Sequence, residues 1–210
     1  MFARLFAAVG GGRDGRVLQT FKPLRNYSRR QRKAPPQMMV RVDVGGAMGG
    51  DFCETLLEET YRLHDSASCV LGLVIEECAQ HASCLHGCGA GPKFEFLHSE
   101  AGGRAPAALP AIAYFENVFK DSGDVLDGLS ALDALPPGPQ LCKALAMPWR
   151  RLLRVFSHVW AVHWDAIEAL GAQAAVLTEI RHIVGIIRAH GDDLVSSCEL
   201  EPLAVCAAGA

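Results

Sequence analysis

Two sets of side chains in this chain have the types and spacing to do chemistry. The first is a Cys/His group. Cys78 and Cys84 lie in a segment that also holds His81, His86 and Cys88, while far downstream His158 and His163 sit in an apolar run with Val155, Phe156, Val159, Trp160 and Trp164. Two thiolates and two imidazoles make a tetrahedral structural metal set, although the local spacing is not that of a zinc finger. The histidines have another reading, as satisfied core residues. On a straight helix their rings stand about 140° apart, so joint ligation requires the helix to bend or end between them.

The second set is Arg150, Arg151 and Arg154, at i, i+1 and i+4 just after Pro148. Proline suits the first helical position, so the spacing predicts a helix starting there. Three guanidinium groups would then gather beside free backbone N–H groups and the positive end of the helix dipole. That is an anion site in outline, matched to phosphate or carboxylate; the plainer reading is a solvated helix. No nucleophile elbow, phosphate-binding glycine loop or zinc-protease motif accompanies either set, and Asp192-Asp193 reads as solvated charge at a helix end.

The elements that must position these residues are helical. Phe52, Leu56, Leu57, Leu63, Val70, Leu71 and Val74 predict two consecutive helical segments over 51–77, broken near Ser66-Ala67-Ser68. A Cys/His/Gly loop follows at 78–92. Lys93–His98 alternates polar and apolar residues, as a short strand in a hairpin closed by Gly102-Gly103 would. Pro110 opens a helix with Ile112, Phe115, Val118 and Phe119 inward, ending near Ser122-Gly123. Residues 120–142, with Pro136-Pro137-Gly138-Pro139, read as a long connection holding at most one helical turn. The Arg/His helix should end around Leu170-Gly171, and a last one runs from about Ala172 to His190, stopped by Gly191. His182 reads as a core or second-layer histidine.

With half of its 210 residues apolar, the chain has ample material for one core. Charge is uneven: residues 1–41 carry +9 and the remainder −12, against −3 in all. Residues 1–38, with Gly10-Gly11-Gly12 and Arg29-Arg30-Gln31-Arg32-Lys33, read as a flexible basic arm, 39–205 as the folded domain and 206–210 as a tail. The arm lacks aromatic residues interleaved for base stacking, which makes nucleic acid a weak candidate. Its first residues also resemble a mitochondrial presequence. Eight cysteines without a cleavable signal segment point to reduced thiols in the cytosol or nucleus. No apolar run reaches the ~18 residues a membrane span needs.

In order along the chain, Thr20-Phe21-Lys22-Pro23, the pair Cys78 and Cys84, Gly91-Pro92-Lys93-Phe94-Glu95-Phe96, Arg151-Leu152-Leu153-Arg154-Val155-Phe156-Ser157-His158 with His163, and Glu199-Leu200-Glu201-Pro202-Leu203 resemble the Mob/phocein family of kinase-binding adaptors. The resemblance implies an all-α, Mob-type bundle of about four long helices with flanking short helices, a small β-hairpin and a structural zinc held by Cys78, Cys84, His158 and His163. It also implies that Arg150, Arg151 and Arg154 bind phosphopeptides. The expected protein is a non-catalytic adaptor and co-activator of NDR/LATS-type AGC kinases in Hippo or mitotic-exit signalling, which also binds a phosphorylated upstream kinase or scaffold. A zinc hydrolase, or a nucleic-acid binder acting through the arm, would be the other classes.

The chain departs from the family pattern in three places. One residue more than usual separates Cys78 from Cys84, and one more separates Cys84 from Gly91, so Cys88, His81 or His86 could take over a ligand position. The first helix lacks the family's tryptophan, and Arg62 falls near a family acidic position.

Overall fold

The structure, a computed structural model, describes residues 50–99, 105–190 and 194–208. The basic arm, Gly102-Gly103 and Gly191 lie outside the described residues. Four long helices carry the architecture: α1 (Gly50–Cys78), α3 (Ala111–Ser130), α4 (Gly138–Val162) and α6 (Gln173–His190). Between them lie α2 (Ala82–His86), a hairpin of β1 (Leu97–His98) and β2 (Ala107–Ala108), and α5 (Trp164–Ala169); α7 (Ser197–Ala208) follows. The strands are antiparallel, Leu97 facing Ala108 and His98 facing Ala107. The all-α bundle with a small hairpin is therefore what the chain forms.

Helices α1 and α4 make the most extensive pairing, α3 packs on both, and α7 lies on α4 and α6. Trp149, Tyr114, Phe115 and Phe156 are fully buried at the centre with Leu56, Leu63, Leu71, Leu126, Leu145 and Leu152. Trp149 donates its Nε1–H to Thr60 Oγ1 at 2.8 Å, and that hydroxyl donates to the Leu56 carbonyl at 2.7 Å. Thus the one polar atom of the largest core side chain is satisfied across the α1–α4 seam.

Several expected boundaries are wrong for a common reason. No break occurs at Ser66-Ala67-Ser68: Leu63, Ala67, Val70, Leu71 and Val74 are all buried and continue one stripe, which outweighs the small helix penalty of serine. Helix α3 does not stop at Ser122-Gly123 but passes through both, buried, to reach Leu126 and Leu129. The connection is accordingly 131–137 and not 120–142.

The most consequential correction concerns Pro148. Helix α4 starts ten residues earlier, with Pro137 as its N-cap and Pro139 in the first turn, and Pro148 is buried inside it. An internal proline forfeits one hydrogen bond; here Leu141, Leu145, Trp149, Leu152 and Leu153, all buried, hold the helix across it. The arginines therefore lie in the fourth and fifth turns, away from free N–H groups and the dipole end. Helix α4 also stops at Val162 rather than near Gly171.

Candidate metal centre and arginine cluster

Cys78 is the last residue of α1, and Cys84 lies in α2, a single short helix that packs against α3. His158 is in the last turns of α4. His163 caps its end with φ −125° and ψ 19°, outside helical geometry, before α5 begins at Trp164. The break is the bend that joint ligation required. Trp160 and Trp164 pack across it with ring centres 4.3 Å apart.

All four side chains are buried, and one ligand atom from each lies within 4.8 Å of every other. Cys78 Sγ is 3.6 Å and Cys84 Sγ 3.5 Å from His158 Nε2; Cys84 Sγ is 3.4 Å from His163 Nε2. Metal–sulfur bonds of about 2.3 Å and metal–nitrogen bonds of about 2.0 Å, at a tetrahedral angle, set sulfur and nitrogen about 3.5 Å apart. The four residues thus fit a small tetrahedral metal ion, with every position filled by protein.

The surroundings orient the ligands. His158 donates its Nδ1–H to the Gly89 carbonyl at 2.7 Å, which turns a bare Nε2 toward the sulfurs. Phe115 packs edge-on against the same ring, 5.2 Å between centres. Glu77 Oε1 stands 3.1 Å from His163 Nδ1, near in charge but out of line for a hydrogen bond. Burial lowers the pKa of His158 to about 4, opposed by the bond to Gly89, and lowers that of His163, opposed by Glu77. Burial also pushes the Cys78 thiol far up, helped by Cys84 alongside, and raises Cys84. Four buried groups that resist charging are costly on their own; a dication reverses the preference of the thiols.

The alternative ligands stand aside. Cys88 is buried next to the group but is not among the four, His81 faces Ser83 Oγ at 2.9 Å, and His86 is exposed. The segment after Cys78 forms α2, and the Gly89–Glu95 bridge follows it. His182 is no core residue: it is exposed on α6, 3.2 Å from Glu59. Glu59 also pairs at 2.7 Å with Arg62, whose Nη1 reaches Glu179 at 2.7 Å, so the residue expected near an acidic position is neutralised on both sides.

The arginines do not share one target. Arg151 pairs with Asp121 of α3. Arg154 donates to Tyr114 Oη at 2.9 Å and from Nη2 to Glu199 Oε1 at 3.1 Å, with its guanidinium 5.2 Å from the centre of the Phe96 ring. Arg150 Nε lies 3.5 Å from the same Glu199 oxygen. Glu199 and Asp121 are the residues that sequence reasoning missed as partners. Glu199 lies in the run Glu199-Leu200-Glu201-Pro202-Leu203, but nothing local links it to an arginine 45 positions earlier. Gly89 acts through its carbonyl, for which a sequence carries no signal.

A helical bundle whose buried Cys2His2 group could hold a metal ion, with a guanidinium cluster on one of the same helices, defines the class of fold and site. The Mob1/phocein family profile matches residues 48–203, and the chain belongs to that family. It is 26% identical over 205 residues to MOB kinase activator 3B of Mus musculus, covering 88% of this chain and 90% of that protein. It is 25% identical over 205 residues to MOB kinase activator-like 1 homolog C of Dictyostelium discoideum, covering 90% and 92%. Identity is 33% over 142 residues to MOB kinase activator 3C of Bos taurus, where the match spans 64% of this chain and only 62% of the relative. No helix among the described residues is long and apolar enough to cross a membrane.

Proposed function

We propose that the protein is a non-catalytic adaptor and co-activator that binds an NDR/LATS-type AGC kinase, and that Arg150, Arg151 and Arg154 receive a phosphorylated peptide from an upstream kinase or scaffold. The reading rests on family membership over residues 48–203, shared with relatives named as kinase activators. It is carried by one observation in the structure: the Arg154 fork is held from three sides, by Tyr114, Phe96 and Glu199, yet its side chain keeps a fifth of its surface open. A preorganised, partly desolvated guanidinium is what phosphate recognition favours. The exposed acids Glu54 and Glu58 on α1 offer negative charge to a basic kinase segment.

Zinc, bound by Cys78, Cys84, His158 and His163, would fix α1 and α2 to the end of α4. A closed four-ligand shell leaves no position for water, which favours a structural role. Cys53, Cys78, Cys84, Cys88 and Cys142 are buried and in no disulfide, which suits a reducing cytosol or nucleus.

The test is a titration of a fluorescent phosphothreonine peptide against its unphosphorylated twin. Phosphorylation should tighten binding at least tenfold, and Arg154→Ala should abolish the difference. Equal affinity for both peptides, or full retention by the variant, refutes the phosphate reading. Failure to raise the activity of any NDR/LATS-type kinase refutes the co-activator reading.

A further inference from the structure

The anion position between Arg150 and Arg154 already holds a carboxylate of the same chain. Glu199, in the first turn of α7, meets Arg154 with both oxygens, Oε1 at 3.1 Å from Nη2 and Oε2 at 3.4 Å from Nε, and shares Oε1 with Arg150. We propose that Glu199 is a tethered competitor: a phosphorylated ligand binds by displacing this carboxylate, so that affinity at the arginines is set by α7 as well as by α4. The inference rests on the phosphopeptide reading above and adds a residue that opposes it.

Three features support displacement over a permanent ion pair. The contacts are long for charge-assisted bonds, which ordinarily close to about 2.7–2.9 Å. Second, the carboxylate leaves part of the site unserved: Arg150 Nε is buried, is out of line with Glu199 for a hydrogen bond, and has no other hydrogen-bond partner among the described residues. A phosphate monoester brings three terminal oxygens and a charge of about −1.5 to −2 where Glu199 brings two oxygens and −1, so it can serve Arg150 and Arg154 together. Third, Arg154 does not depend on Glu199 for its aim, because Tyr114 Oη and the Phe96 ring hold the guanidinium independently. When Glu199 leaves, the fork stays in place. Helix α7 itself is anchored through Leu203, fully buried, beyond the arginine contact.

The experiment measures phosphothreonine-peptide affinity for the full-length wild type, Glu199→Gln, Glu199→Asp and Glu201→Gln. Glu201 is an exposed acid on the same helix and controls for net charge. Glu199→Gln should bind about three- to tenfold more tightly, the scale of a partly exposed charged contact. Glu199→Asp, too short to reach, should move the same way, and Glu201→Gln should match the wild type. Adding the peptide to wild type should also speed backbone hydrogen exchange over 197–203, a readout independent of any variant. Unchanged or weaker binding by both Glu199 variants, with unaltered exchange, overturns the proposal while phosphorylation-dependent binding of the wild type leaves the parent reading standing. Absence of phosphate-dependent binding in every protein, with Arg154→Ala indistinguishable, overturns both. Equal gains for Glu201→Gln and Glu199→Gln also overturn it, since bulk charge then suffices.

Discussion

Gly89 accepts the Nδ1–H of His158 at 2.7 Å, and this single bond decides which nitrogen of the imidazole faces Cys78 and Cys84. The carbonyl is held in place by the bridge between Gly89 and Glu95, where a Cβ on Gly89 would collide with the Phe94 carbonyl oxygen. Gly89→Ala should therefore force the bridge apart and free the ring, costing about 1–3 kcal/mol of stability. Metal affinity should fall with it by about 10- to 100-fold, as on loss of an outer-shell partner. Denaturant unfolding and a competitive chelator titration measure the two effects. An alanine variant that melts and binds metal as the wild type does would remove Gly89 from the site.

Metal removal is the broader test. An ion present at about a thousand times its dissociation constant stabilises the folded state by about 4 kcal/mol, so chelation should lower the melting temperature by roughly 8–16 °C for a chain of this size. His158→Ala and Cys84→Ser should remove the stoichiometric metal and respond little to chelator. A wild-type protein that purifies without metal and melts unchanged in chelator would show that the four ligands pack without an ion.

The metal-free protein should be acid-sensitive in a defined window. Burial holds His158 at about 4 in the folded state, below its ordinary value near 6.5, so between those values the unfolded chain binds more protons. Stability must then fall as pH drops from about 6.5 to 4, by about 3 kcal/mol from this group, and level off below. Chelator-stripped protein unfolded in urea across pH 4–7 gives the slope directly; stability rising toward acid would contradict it.

Thr60→Val tests the core seam. The near-isosteric change leaves the Trp149 N–H buried with no acceptor, at a cost of about 1–3 kcal/mol. Adding Trp149→Phe to it should cost less than the sum of the two single changes, because the orphaned donor goes with the indole. Full additivity in a double-mutant cycle would mean that the two residues are not coupled.

The long helices could be read in the sequence because their apolar spacing survives every interruption. Where that reading failed, a local breaker was given more weight than a buried stripe. Pro148 costs one hydrogen bond, yet Leu145, Trp149 and Leu152 on either side are all fully buried; Ser122 and Gly123 read as a stop but are small residues on the packed face of α3. Of the metal group, the order of Cys78, Cys84, His158 and His163 was visible, whereas their common meeting point depends on a helix end at His163 that no residue type announces. The arginine partners were illegible for a different reason. Asp121 and Glu199 reach α4 from separate elements, so only the packing of α3 and α7 reveals that the three arginines face two carboxylates.

The separation of the ligands along the chain also fixes a sequence of events during synthesis. Cys78 and Cys84 emerge from the ribosome long before His158 and His163, so for that interval they are open thiols without the two imidazoles that meet them in the folded protein. A nascent chain in that state is the form most exposed to oxidation. Protection then comes from the turn at His163: once that imidazole swings in, the sulfurs are closed off by the same stroke that ends the helix.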